Sequence, residues 1–348
     1  MQAYHLIMRI DLINFCFSLL CVLSFFLCVQ VAQANLVWPT PNKAFNEGYS
    51  IESFVQSTAS GRIESGLFGC VRNHGRRFHE GLDLSPTMYD SQGEAKDPIF
   101  AIASGVVVYV NSEASSSSYG RYIVLEHNEK GLTYFSLYAH ISKFANGLEV
   151  GDRIQSGGVI GIMGRSANYE IPKSRAHLHL EIGFKLTDHF QAWYDRQNFK
   201  SLNYHGNWNG MNLVGIDPLA LFTAFREGQV SSIKDYINNL TISARIRIFT
   251  NSLPDFVGKH PALVTRSNLG RNIIAWDVAF SPYGLPMQWT PRFDNEGITG
   301  NEGDVSVLTY NRRQLSTQSC HTVVNVDHGV PLISQVSLRT LRLLFGLH

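Results

Sequence analysis

The segment His79-Glu80-Gly81-Leu82-Asp83 places a histidine and a carboxylate four residues apart, and His177-Leu178-His179 places two histidines two apart. Alternate side chains of an extended strand lie on one face. If both segments are strands, His79 converges with Asp83. His177 and His179 then point the same way, and Leu178 and Leu180 turn to the core. Two histidines and one carboxylate with a fourth position open form a zinc arrangement used for hydrolysis. A single aspartate leaves such a centre net positive and able to acidify water. Taken alone each fragment is weak, because His-x-x-x-Asp pairs arise by chance and His-x-His is common on surfaces.

The elements that must position these side chains read as β. From Leu67 to about Phe225, short β-branched and aromatic runs alternate with Gly, Asn and Ser clusters, the pattern of an all-β domain. Strand candidates are Ile99 to Val110, Tyr122 to His127, Thr133 to His140, Val159 to Met163 and His177 to Ile182. Asp217-Pro218 before Leu219 to Phe222 predicts a short closing helix with Asp at its N-cap and Pro at its first position. Residues 35–66 read as a leader wrapped on this domain, and Ser115 to Ser118 as a loop tip. Beyond residue 225 a polar segment around Ser231 to Asn239 precedes an alternating run, with Ile242, Ala244, Ile246 and Ile248 on one face and Arg245 and Arg247 on the other. Ile273 to Phe280, Val305 to Tyr310, Thr322 to Val326 and Leu332 to Leu338 continue the strand pattern. Residues 226–348 are therefore expected to form a second, small, β-rich and sandwich-like domain.

Three motifs in order, Phe78-His79-Glu80-Gly81-Leu82-Asp83-Leu84, Leu137-Tyr138-Ala139-His140-Ile141-Ser142 and His177-Leu178-His179-Leu180-Glu181-Ile182, resemble the lysostaphin-like zinc endopeptidases that cut bacterial cell-wall peptides. The likeness continues through Ser104-Gly105-Val106-Val107, Tyr119 to His127 and Val150 to Ile154. It covers roughly Leu67 to Phe222. It implies a compact antiparallel β domain with a groove over one zinc held by His79, Asp83 and His179. It also implies that His140 and His177 are catalytic without holding the metal; a histidine neutral near pH 7 suits the base that accepts the water proton, and the other is suited to hydrogen-bond the oxyanion, with the assignment between them open. A relative that had lost catalysis would be expected to lack one of these five residues, and all are present. Glu80, beside a ligand, is expected to face away, since neighbours on a strand point to opposite faces.

The chain departs from the family's pattern at Arg175-Ala176, where a Gly and a small residue or Pro usually precede the His-x-His, and in two inserts. Arg165 to Ser174 and the aromatic-rich Leu186 to Met211 are expected to border the groove, so substrate preference does not transfer. Packing of the insert's aromatics onto the domain is the favoured expectation, with stacking on sugar or peptide as the other. His127 reads as structural, His74 as a solvated loop residue, and His321, Asp327 and His328 as no metal site.

Composition bounds what remains. With 348 residues and 44% hydrophobic content the chain can bury two cores. Its 29 Lys and Arg against 28 Asp and Glu give a net charge of +1, which argues against a nucleic-acid partner. Arg9, the apolar run Phe15 to Val29 and Ala32-Gln33-Ala34 read as an export signal over residues 1–34, cleaved before Asn35 or kept as an anchor. No membrane contact is expected after cleavage. Export leaves Cys70 and Cys320, which either pair or stay as buried thiols. The expected partner is the peptide stem or cross-bridge of peptidoglycan, hydrolysed in the periplasm or outside the cell. The rival readings are a non-catalytic activator of another wall hydrolase and a secreted zinc endopeptidase acting on proteins.

Overall fold

The computed structural model describes residues 36–317 and 320–347, so the expected export signal lies outside the described residues. Among them, no helix is long and apolar enough to cross a membrane. The chain is mostly β, and every ladder between its strands is antiparallel.

The principal sheet runs in the order Leu213–Ile216, Leu178–Lys185, Leu132–Ala139, Tyr122–Glu129, Gly105–Asn111 and Arg153–Ile154, with Leu82–Leu84 also paired to the Leu178–Lys185 strand. Alternation explains this sheet. Leu178, Leu180, Ile182 and Phe184 are fully buried on one side of their strand, which leaves His179 and Glu181 together on the other. Register then sets His179 opposite both Asp83 and Ala139. A separate hairpin, Gly69–Arg72 with Arg77–His79, brings His79 in from the side.

His79 and Asp83 do not share one strand. The first strand ends at His79 and the next begins at Leu82, with the chain bending at Gly81. A side chain at Gly81 would stand 2.4 Å from the Leu180 carbonyl and 2.9 Å from the His179 ring, so only glycine lets this bend lie against the histidine strand. Upstream, Trp38, Phe45 and Phe54 form an aromatic cluster with Phe222 of the helix Pro218–Arg226. Asp217 caps that helix through the Ala220 amide, as its sequence predicts.

Residues 244–310 form a four-stranded sheet ordered Pro286–Phe293, Ile273–Phe280, Ala244–Phe249 and Val305–Tyr310. Ile246 and Ile248 are buried on one face, while Arg247 meets Asp277 on the other at 2.6 Å. One continuous hydrophobic core joins this sheet to the first, and the Thr133 amide donates to His260 across the junction. Cys70 and Cys320 form a disulfide that ties the hairpin carrying His79 to the C-terminal region.

One segment left without an element acquires a helix, and one strand expectation fails. Ser231 to Asn239 contains a helix, Ile233–Asn239, started by Ser232 accepting from the Asp235 amide. Leu332 to Leu338 is not a strand. Val330–Ile333 pairs with Val324–Asp327, and then a helix runs over Gln335–Phe345. Buried Ser337, Leu341 and Leu344 lie four and three residues apart, a helical face that the preceding apolar alternation conceals.

Candidate active site

His79, Asp83 and His179 converge, all buried. His79 Nε2 lies 3.1 Å from His179 Nδ1 and 3.2 Å from Asp83 Oδ1, and His179 Nδ1 lies 2.9 Å from that same oxygen. What these atoms can do follows from the partners of the opposite ends of each ring. His79 Nδ1 donates to the Leu67 carbonyl at 2.7 Å, so its Nε2 presents a lone pair. His179 Nε2 donates to Glu181 at 2.9 Å, so its Nδ1 does the same. Two lone pairs and a carboxylate oxygen this close repel one another unless a proton or a cation stands among them. Tetrahedral coordination at 2.0–2.1 Å sets ligand atoms about 3.3 Å apart, so the donor set fits a divalent metal with nitrogen and oxygen preference.

Charge reinforces the fit. Burial by itself raises the Asp83 carboxyl, but the surrounding His79, His177 and His179 rings outweigh this and hold it well below the usual range. Arg72 binds the other Asp83 oxygen at 2.6 Å. Burial pulls His179 down, yet its hydrogen bonds and charge contacts with Asp83 and Glu181 outweigh this and carry it to about 9. A proton therefore occupies this imidazole when a metal does not. Tyr119 donates to the same Glu181 oxygen at 2.5 Å, completing a buried relay behind the ring.

His140 and His177 face the same groove, their rings 4.5 Å apart, and the His177 Nε2 lies 3.7 Å from Asp83 Oδ1. Each is oriented by a backbone carbonyl. His140 Nδ1 donates to Ser166 at 2.8 Å and His177 Nδ1 to Arg175 at 2.7 Å, leaving both Nε2 atoms as acceptors. Burial pushes both rings below the ordinary histidine value, and neighbouring histidines push His140 further, so both are neutral near pH 7. His140 adopts a left-handed backbone, φ 61°, just past the end of its strand. Such a conformation in a residue other than glycine is held by its surroundings. Here the His140 amide donates to Tyr119, and Gly120, at φ 62°, lets the Ser166 carbonyl pass where a Cβ would stand 2.1 Å away.

The groove has a volume of about 490 Å³. Both inserts border it, the first through Tyr169 and Ile171 and the second through His205, Trp208 and Met211. The second insert's Phe190, Trp193 and Tyr194 instead pack inward around a short helix, Phe190–Arg196, and Tyr204 is exposed. Glu80, the residue after His79, also lines the groove. His127 is structural, bridging the Ser104 carbonyl and the Ser136 hydroxyl away from the site. His74 is exposed on the hairpin turn, His321 packs on Phe78, and Asp327 and His328 lie on an exposed turn. Glu181, Arg72 and Tyr119 are additional site residues. Glu181 alone carries a sequence signal, as the third residue in the alternation His177, His179, Glu181.

An antiparallel β domain with two histidines and an aspartate converging beneath a groove defines a class of metal-site proteins. Residues 77–190 match the profile of peptidase family M23. Its similarity to endolysin 2638A of a Staphylococcus phage is 26% identity over 122 residues, 33% of this chain, and the chain spans about a quarter (24%) of that relative's length. Among solved structures, the catalytic domain of lysostaphin from Staphylococcus simulans is 21% identical, covering 45% of this chain and 87% of that one, with a TM-score of 0.28. A zinc-containing peptidase from Vibrio cholerae is 20% identical, covering 43% and 33%, with a TM-score of 0.24.

Proposed function

We propose that this protein is an exported zinc metalloendopeptidase that hydrolyses peptide cross-links of bacterial peptidoglycan, binding one zinc per chain through His79, Asp83 and His179. The observation that carries the reading is the convergence of three donor atoms beside two neutral histidines whose Nε2 atoms face one groove. When bound, zinc supplies Lewis acidity toward the scissile carbonyl and toward water. His140 or His177 accepts the water proton at Nε2, and the other ring, once protonated, donates to the developing oxyanion or the leaving amine. Backbone carbonyls of Ser166 and Arg175 hold both rings in the tautomer this requires. Arg72 fixes the Asp83 carboxylate, and Glu181 with Tyr119 fixes the His179 ring.

Export rests on the apolar run before Asn35 and is supported by the Cys70–Cys320 bond, since structural disulfides persist in oxidising compartments. Residues 67–225 supply the chemistry in this reading, and residues 226–348 are an accessory region. Purified peptidoglycan incubated with the zinc-loaded protein should release peptides that mass analysis assigns to a cut cross-link. Binding without cleavage would favour the activator reading, and cleavage of proteins alone would favour a general endopeptidase.

A further inference from the structure

Three arginines and two carboxylates line the groove. Arg72 and Asp83 are paired with each other. The guanidiniums of Arg77 and Arg175 have neither an ion-pair nor a hydrogen-bond partner among the described residues, and Glu80 is the remaining anion. Two guanidiniums on the walls of a concave site, free of protein partners, are planar forks suited to a carboxylate.

Their placement is fixed by the backbone that fixes the histidines. Arg77 precedes His79 by two on an extended strand, so both side chains lie on one face. Arg175 ends the 3-10 turn Lys173–Arg175, where its amide donates to the Pro172 carbonyl while its own carbonyl accepts from His177 Nδ1. The two guanidiniums thus issue from segments that hold a candidate metal ligand and a candidate catalytic histidine, on the walls of the same groove.

We infer that Arg77 and Arg175 are specificity residues, and that the substrate is an acidic peptide with free carboxylates close to the scissile bond, not an uncharged bridge such as polyglycine. This inference rests on the hydrolase reading for its substrate, but its test does not. Paired synthetic stem peptides would be made with these carboxylates either free or converted to carboxamides. Cleavage would be measured as kcat/KM, and binding of non-hydrolysable versions by calorimetry.

The wild type should favour the acid over the amide by roughly tenfold to a hundredfold in both measurements, the scale of a charge-assisted hydrogen bond. That ratio should fall toward one in the double variant Arg77→Gln/Arg175→Gln, with each single variant between. Zinc content and thermal stability report whether the variants stay intact, and Arg153→Gln, on an exposed strand outside the groove, should keep the wild-type ratio. Equal handling of acid and amide by the wild type, or a preference that survives the double variant, overturns the inference while leaving the hydrolase reading in place. Arginine-dependent binding of the acid without any cleavage sustains the inference and removes the hydrolase reading.

Discussion

Replacing Glu181 by alanine should weaken metal binding in a manner that depends on pH. The carboxylate is buried, accepts from His179 Nε2 at 2.9 Å and from Tyr119 at 2.5 Å, and has no reach to the donor atoms except through the ring. Outer partners of ligating histidines typically contribute about 10–100-fold in metal affinity. A second effect opposes this loss. In the metal-free protein His179 is raised to about 9, partly by Glu181, so near pH 7 a proton competes with the metal by about two units, roughly a hundredfold. Removing Glu181 lowers that pKa and relieves the competition. The deficit of Glu181→Ala should therefore be partly masked near pH 7 and approach its full 10–100-fold near pH 9. Glu181→Gln, which keeps an acceptor and loses the charge, should fall between. Zinc titration against a chromophoric chelator at both pH values measures this, with thermal unfolding of the metal-free variants as the check on folding. A folded Glu181→Ala protein with wild-type affinity near pH 9, or a deficit that shrinks as pH rises, would show that the relay does not orient the ring.

His79→Ala and His179→Ala should lose both zinc and peptidoglycan cleavage, whereas His140→Ala and His177→Ala should keep the metal and lose about 10²-fold or more in turnover. Metal analysis on the same preparations as the cleavage assay separates the two groups, and zinc loss from His140→Ala would refute the division. Gly120→Ala should displace the Ser166 carbonyl and lower turnover toward the level of His140→Ala without loss of zinc; wild-type activity would show that this carbonyl does not set the His140 ring. Burial holds His127 at about 4 and His260 at about 3, below the ordinary 6.5, so the unfolded chain binds more protons between these values. Their contribution is complete above pH 6.5 and is lost as pH falls toward 4 and then 3. The urea midpoint should drop over that window, and a flat profile would refute it. Cys70→Ser should destabilise by up to about 5 kcal/mol on the chain-entropy account, given a loop of 250 residues, read as a lowered urea midpoint that reductant reproduces in the wild type.

The site was legible wherever strand alternation carries the chemistry. His179 between the buried Leu178 and Leu180 follows from period two alone, and the sheet delivers Asp83 opposite it. His79 and Asp83 fall on separate strands because contact with the Leu180 carbonyl forces a bend at Gly81 that no local pattern announces. Arg72 reaches the site through tertiary pairing and has no spacing relative to the motifs, and Tyr119, though it opens a stretch of the likeness, meets Glu181 only in the folded chain. Short elements were the other loss. Seven residues from Ile233 to Asn239 give too few turns for a helical period to emerge from polar text, although Ser232 with Asp235 three residues on is a capping pattern. At Gln335–Phe345 the strand signal of Val330–Ile333 runs directly into the helix, and Ser334, which caps it through the Ser337 amide, was the available marker.

The bond between Cys70 and Cys320 makes most of this protein a covalent ring. A protease that cuts once anywhere between these two positions opens the ring and releases no fragment, so the hairpin with His79 and the strand with His179 remain parts of one molecule. Exposed tips such as Ser115 and the turn at Asn301 can then be nicked without the pieces diffusing apart. In the exported setting proposed above the protein would gain tolerance to single cuts, and lose it on reduction. Cleaved protein should migrate as one band without reductant and as two with it.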